Sequence, residues 1–513
     1  MKTEAILPLA AISAVGYLFY TFIQWLRSPL RSVPGPYWAR FTNAWYLFTL
    51  RKGDFEATNL SLHKKYGPIV RYGPNRYSFD NPEASKTIYG HGTQFVKSDW
   101  YSTFEPKPSQ PNLFSDRVIQ HHAHNRRFYT NAYAMSSLIH YEPYLDECGE
   151  IFSQRLQEFA QAGASFNMSH WFQCFAFDAI AYATYDKRLG FLDAGDDIGG
   201  TIKAIEFILD YSGQTGIYPF IHRYIIPILA KITPSNGKKG TNYMLEWTQQ
   251  RIDDERNSPK SIINFESEKE GSTKGETFLA KFFAKHAEMP DAFTNFHILN
   301  GCSTNMVAGS DTTGISLSAT LYHLLRNPDC FTRLRAEIDE FDRRGELSAN
   351  PTFSEGQKMP YFQAVIKEAL RLHPAVGLPL ERVVPKGGAT ISGRFFPEGT
   401  IVGVNAWVQH KNKVIFGEDA EEFRPERWLT EDEGRLSAMN RNWMPFGLGS
   451  RTCIGKNVSI LEMTKLIPRI VRDFDFQLEG NAAVPQKSWK TYNMWFVKPQ
   501  DFYVTVKPRQ SKA

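Results

Sequence analysis

Phe446-Gly447-Leu448-Gly449-Ser450-Arg451-Thr452-Cys453-Ile454-Gly455 is the stretch on which the reading of this chain turns. It sets one cysteine among three glycines, just ahead of a helical pattern that continues to about Arg472. A free cysteine titrates near 8.5 and is mostly protonated at neutral pH. At a helix N-terminus, unpaired backbone N–H groups and the helix dipole favour the thiolate. Gly447, Gly449 and Gly455 let the backbone bend closely around the sulfur. Such a sulfur suits a soft metal or a haem iron. A lone cysteine beside a glycine turn is more often buried and inert, so the surrounding sequence has to decide. A dinucleotide-binding reading of Gly447-Leu448-Gly449 fails, because the third glycine is missing and no strand–turn–helix unit precedes it.

Four segments further from the cysteine bear on the choice. Glu368-Ala369-Leu370-Arg371 lies in a helical run ended by Pro374, and its first and last residues share a helix face. Phe423-Arg424-Pro425-Glu426-Arg427-Trp428 follows it. Ala308-Gly309-Ser310-Asp311-Thr312 sits midway along a long helical stretch between Pro290 and Pro328. A glycine and threonine there can release backbone groups, although a threonine bonded to its own helix backbone is the commoner arrangement. His122-Ala123-His124-Asn125-Arg126-Arg127 supplies a basic helix face.

Taken together these segments resemble the cytochrome P450 family. The spacing F-x-x-G-x-R-x-C-x-G matches its haem-thiolate signature at every fixed position. The resemblance implies Cys453 as axial iron ligand, Arg451 on a haem propionate and Phe446 packed beside the sulfur. It implies a buried Glu368–Arg371–Arg427 network, with Trp428 in place of the usual phenylalanine. Ala308 to Thr312 resembles the oxygen-activation motif, of which Gly309 is the cofactor-facing glycine; Thr312 then steadies dioxygen and Asp311 relays protons. His122 and Arg126 stand at the propionate-contacting positions of the family's C-helix, and Arg382 at the propionate arginine that follows E-x-x-R. By family position the substrate candidates are Trp100, Phe104, Phe114, Asn305, Met306, Val376, Leu378 and Met494. These are mostly apolar, so a lipophilic small molecule is expected.

Within the family, Phe114 to Cys148 and the ending Trp495-Phe496-Val497-Lys498-Pro499 resemble pisatin-demethylase-like enzymes of filamentous fungi. That implies a monooxygenase of the endoplasmic reticulum membrane that carries haem b. Its electrons come from NADPH through cytochrome P450 reductase, with cytochrome b5 as a further donor. Its products belong to secondary metabolism of the terpenoid or polyketide type, mycotoxins among them. Two other functions stay open: a P450-fold isomerase or dehydratase that needs no external electrons, and a non-catalytic haem-binding membrane protein.

The rest of the chain sets the frame. Its 513 residues are 42% hydrophobic and 22% charged, enough to bury a large core. A net charge of +5 is too small for this length to point to nucleic acid. Five widely spaced cysteines include no C-x-x-C pair, which excludes zinc ribbons and a disulfide scaffold. Ala5 to Leu26 carries no charge over about 33 Å of helix, so residues 5–26 are expected to be a transmembrane anchor. Arg27, Arg31 and Arg40 follow it, which predicts a cytosolic body. Residues 27–40 form an Arg/Pro-rich hinge, and 41–513 one large, mostly helical α+β haem domain with a minor β part. The apolar stretch Ile205 to Ile232 is broken by Asp210, Pro219 and Pro227, and reads as two helices resting on a membrane surface.

Overall fold

The computed structural model describes residues 6–105, 110–224, 235–257, 276–484 and 489–510. Among its helices are α1 (Ile6–Arg27), α2 (Ile119–Thr130), α3 (Glu142–Ala162), α4 (Met168–Tyr185), α5 (Thr201–Thr215), α6 (Asn295–Arg326), α7 (Pro328–Arg343), α8 (Pro360–Leu372) and α9 (Lys456–Asp473). The helical stretch expected between Pro290 and Pro328 is thus found as α6.

The longest of them organises the molecule. α6 starts at a capping box, in which the Thr294 hydroxyl and the His297 ring satisfy backbone donors reciprocally, and stops one residue before Pro328. Its middle is buried on nearly every side, from Ser310 through Leu324. It crosses α4 at close range because Gly314 has no side chain: a Cβ there would lie 3.0 Å from the Gln173 Cα. α8 and α9 pack on its other side, and apolar side chains from all these helices form one continuous core.

The strands are short and peripheral. β1 (Ile69–Gly73), β2 (Arg76–Phe79), β3 (Val96–Lys97), β5 (Arg382–Val383) and β8 (Ile401–Val404) form a sheet in the order β1-β2-β8-β5-β3. β2 and β8 run parallel, and the other pairs antiparallel. β4 (Phe166–Asn167), β12 (Tyr503–Pro508) and β9 (Phe474–Leu478) make a second sheet, while β6 (Ala389–Ile391) and β7 (Arg394–Phe396) pair alone. β10 (Thr491–Asn493) and β11 (Val497–Pro499) form a hairpin whose turn carries Met494, Trp495 and Phe496.

The 22-residue helix α1 covers most of the proposed anchor. Residues 1–5, the side chains of 6–14 and that of Leu18 lie outside the description. Among the described residues no helix is long and apolar enough to cross a membrane. Of the Ile205–Ile232 stretch, α5 and a short turn of helix at Pro219–Ile221 are found, and residues 225–234 lie outside the described set.

Candidate active site

The cysteine loop folds as a tight pocket wall. Gly447 and Gly449 take left-handed φ values of +71° and +65°, which a side chain adopts only with strain. At Gly449 there is also no room, since a Cβ would meet the Tyr89 carbonyl oxygen at 1.8 Å. The Cys453 amide donates to the Phe446 carbonyl at 2.8 Å and closes the loop. Phe446 packs at 5.9 Å from the Trp443 ring. The Cys453 side chain is open to a cavity of about 290 Å³ yet surrounded by protein. Burial pushes its thiol up, and the Gly455 and Lys456 amides and the Arg126 charge pull the other way. The loop by itself therefore does not produce the thiolate expected from a helix start. A bound cation would.

One end of the cavity is strongly basic. Lys97, Arg126, Arg382 and Arg451 line it, together with His122. Arg451 donates one Nη to the Asp116 carbonyl at 2.6 Å, and its other Nη is buried without a partner. Burial and the neighbouring Arg382 pull the Arg451 guanidinium down to about 10. Lys97 is pulled well below its ordinary range by burial, then by Arg382 and Arg451. Burial, followed by Arg451 and Lys97, lowers His122 to about 3, so its ring is neutral. Asp116 is the carboxylate beside them, and its own oxygens already accept from the His121 ring and the Val118 amide. Buried cations need anionic partners. A planar group with carboxylates at one edge and a metal over Cys453 fits this cavity: the sulfur supplies a soft ligand, and the basic end lacks the anions such carboxylates would provide.

Beneath the site, Glu368 and Arg371 form a bidentate pair, both contacts 2.8 Å, and Arg427 Nε donates to the same carboxylate at 2.8 Å. All three side chains are fully buried. Trp428 adds an indole N–H donated to Glu368 at 2.9 Å, a bond that phenylalanine could not make. Arg371 and Arg427 spend their remaining donors on carbonyls of His410, Ala420, Phe416 and Asp419, tying three loops to one carboxylate.

On α6, Gly309, Thr312 and Asn305 face the cavity. Thr312 donates to the Ala308 carbonyl at 2.7 Å, and the helix continues unbroken through it. Asp311 faces the other way. Its carboxylate accepts from Gln173 on α4 and pairs with Lys498 of β11 at 2.8 Å.

The substrate candidates divide. Phe114, Asn305, Val376 and Leu378 line the cavity. Trp100, Phe104, Met306 and Met494 do not. Trp100 is turned outward, donating its indole N–H to the Gly213 carbonyl at 3.2 Å and packing on Trp495. Phe104 is a layer behind, against Trp100 and Phe114. Met306 lies on the opposite face of α6, in the core. Met494 is displaced by its neighbours in the hairpin turn, Trp495 and Phe496, which reach the cavity instead. Sequence reasoning also missed Lys97 and Tyr101. Tyr101 had a signal, standing between the candidates Trp100 and Phe104, whereas Lys97 had none, because only the β3–β5 pairing brings it beside Arg382.

The cytochrome P450 family profile matches residues 34–506, and this chain belongs to that family. It is 39% identical over 507 residues to a pisatin demethylase of Fusarium vanettenii, covering 98% of this chain and 96% of the relative. It is 35% identical over 482 residues to a cytochrome P450 monooxygenase of Aspergillus terreus, covering 91% and 94%. A cytochrome P450 monooxygenase of Penicillium aethiopicum is 32% identical over 515 residues, covering 99% and all of the relative. The protein is a haem-thiolate monooxygenase, and its family uses O2 and a redox partner.

Proposed function

We propose that this enzyme oxidises a lipophilic small molecule in fungal secondary metabolism, of terpenoid or polyketide type. It does so anchored by residues 5–26 in the endoplasmic reticulum membrane, with the body in the cytosol. Electrons reach it from NADPH through cytochrome P450 reductase, with cytochrome b5 as a second source. The balance is RH + O2 + 2 e⁻ + 2 H⁺ → ROH + H2O. The observation that carries the reading is the cavity itself, with one cysteine sulfur at its floor and a basic end short of anions.

Cys453 would hold the haem iron through its sulfur, and the bound haem would supply the redox centre that activates oxygen. Arg451, Arg126, Arg382, His122 and Lys97 would hold the cofactor's carboxylates. Tyr101, Phe114, Trp495 and Phe496 form an aromatic wall that excludes water and positions an apolar substrate. Thr312 presents a hydroxyl at the cavity, and Asp311, behind it on the same helix, is the acid that replenishes its proton. The acid–alcohol pair favours this over an isomerase, a dehydratase or a non-catalytic haem carrier, none of which consumes protons with oxygen.

The test is spectral. Wild-type protein reconstituted with haem gives the thiolate-type spectrum of the reduced carbon monoxide complex, and Cys453→Ala loses it. With reductase and NADPH, pisatin is a reasonable first compound to assay, given the similarity to pisatin demethylase. A thiolate-type spectrum persisting in Cys453→Ala would overturn the ligand assignment.

A further inference from the structure

The hairpin turn that carries Trp495 and Phe496 is held from outside the cavity by a buried acid. Gly377 lies between Val376 and Leu378, which line the cavity, and its peptide is fixed to both sides of that turn. Its N–H donates to the Trp495 carbonyl at 3.0 Å. Its carbonyl accepts from the Asn493 side chain at 3.3 Å and from the Asn405 side chain at 2.9 Å. A Val376–Phe496 bridge and the Val497 amide, which donates to the Ala375 carbonyl at 2.8 Å, extend the seam. No side chain fits at Gly377, because a Cβ there would run into the Asn493 amide. Asn493 is fully buried, and its Oδ1 has no partner. Its side chain is therefore held through Nδ2 alone, and the shorter of that nitrogen's two bonds, at 2.5 Å, goes to Glu56 on the helix Phe55–Tyr66.

Glu56 is only 4% exposed. Burial pushes its carboxyl up to about 7, against the pull of Asn493 and of its own amide. Asp54, at the start of the same helix, pushes it up further, and Lys411 pulls it down. Lys64, on the outer side of that helix, pairs with Glu421. The other titratable groups around the seam do not change charge near neutral pH. Burial lowers His63, on the same helix, and His373, which bonds the Val497 carbonyl, to about 4. Burial also pushes Tyr46, Tyr72 and Tyr492 up, away from neutral. An ionised carboxylate accepts a stronger hydrogen bond than a neutral one. The charge on Glu56 thus sets how firmly Asn493, and with it the turn, is held. We propose that Glu56 is a positioning residue for the substrate, acting through Asn493 and Gly377 to set the spacing of two cavity walls, Val376–Leu378 and Trp495–Phe496. This rests on the cavity being the place where haem and substrate meet.

The test uses haem-loaded, full-length enzyme and two probes that bind ferric haem through nitrogen, imidazole and 4-phenylimidazole, each followed by the shift of the Soret band. Only the second carries a ring that can reach the walls. Glu56→Gln keeps the shape and the acceptor oxygen of the neutral acid but cannot ionise. The ratio of the variant's Kd to that of wild type, taken at one pH, cancels the titration of the probe itself. It also cancels that of Asp210, Glu206 and Asp311, the acids that Tyr492 and Lys498 of the hairpin touch. For 4-phenylimidazole the ratio should be about 1 at pH 6, where both side chains are neutral, and about 5 at pH 8, where only the wild type is charged. For imidazole it should not change with pH. In an Asn493→Ala background, adding Glu56→Gln should no longer produce the step. A 4-phenylimidazole ratio that is the same at the two pH values overturns the proposal. So does an equal step for imidazole, which would place the effect of Glu56 at the haem rather than at the walls, and so does a step that survives in Asn493→Ala. If wild type gives no Soret shift with imidazole, the haem site itself is misassigned and the positioning role falls with it.

Discussion

Replacing Trp428 by phenylalanine restores the residue usual in the family and looks harmless on sequence. The structure predicts a substantial cost. The indole N–H is one of two donors to Glu368 Oε2, the other being Arg371 Nε. A hydrogen bond to a charged group contributes about 1.5–3 kcal/mol, against about 1 kcal/mol between neutral groups. Losing the five-membered ring from a nearly buried side chain adds about 1 kcal/mol of lost apolar burial. Trp443→Phe is the internal control, since its indole donates to a neutral carbonyl, that of Lys367, at 3.0 Å. The two variants lose the same atoms; they differ in the charge of the acceptor and in burial, Trp428 being the more buried. Trp428→Phe should therefore cost about 0.5–2 kcal/mol more than Trp443→Phe, or about 2- to 30-fold in the folded-to-unfolded ratio. Urea titration of haem-loaded protein, followed by loss of the thiolate-type carbon monoxide band, measures both. If Trp428→Phe costs no more than Trp443→Phe, the charged acceptor contributes nothing and the account of this network is wrong.

Two other outcomes follow from the geometry. Lys97→Met removes one of the cations at the basic end of the cavity, and haem transfer to an excess acceptor protein should speed up roughly tenfold while Lys97→Arg changes it little; equal transfer rates for all three would exclude Lys97 from cofactor binding. His410 donates Nδ1–H to the Arg371 carbonyl and accepts the Met444 amide at Nε2, and burial, then Arg371, lowers it to about 3. Its folded value lies below the unfolded one, so its stabilisation is present above pH 6.5 and is lost as pH falls toward 3. Relative to His410→Gln, wild type should lose about 2 kcal/mol between pH 7 and pH 5; a pH-independent difference in urea midpoints would contradict the neutral, doubly bonded ring.

The parts of the site that were legible in sequence are those where one local pattern fixes both conformation and chemistry. The cysteine loop is of this kind, because its glycines and its cysteine lie within ten residues. Glu368 and Arg371 are another case, since a spacing of three on a helix already makes them neighbours. On α6 the motif is legible, and helix geometry sorts its residues by face. Successive residues on a helix diverge by about 100°, and Asp311 falls on the side that meets Gln173 and Lys498 while Thr312 faces the cavity; Met306, six before Thr312, points into the core. Asn305, seven before it, returns to the same face and does line the cavity. Lys97 and Lys498 were illegible for a different reason. Each sits on a strand of two or three residues whose partner is remote in sequence, and only the assembled sheet or hairpin aims it.

The cavity's walls are drawn from Lys97 near one end of the chain to Phe496 near the other. During synthesis, the lysine and C-helix arginine emerge long before the cysteine that meets them, and the aromatic hairpin emerges last. Contacts so far apart in sequence form late and slowly. Cofactor capture is therefore an event of the finished polypeptide, and a nascent chain stalled short of its final hairpin would present an open, water-filled bowl with its basic end exposed.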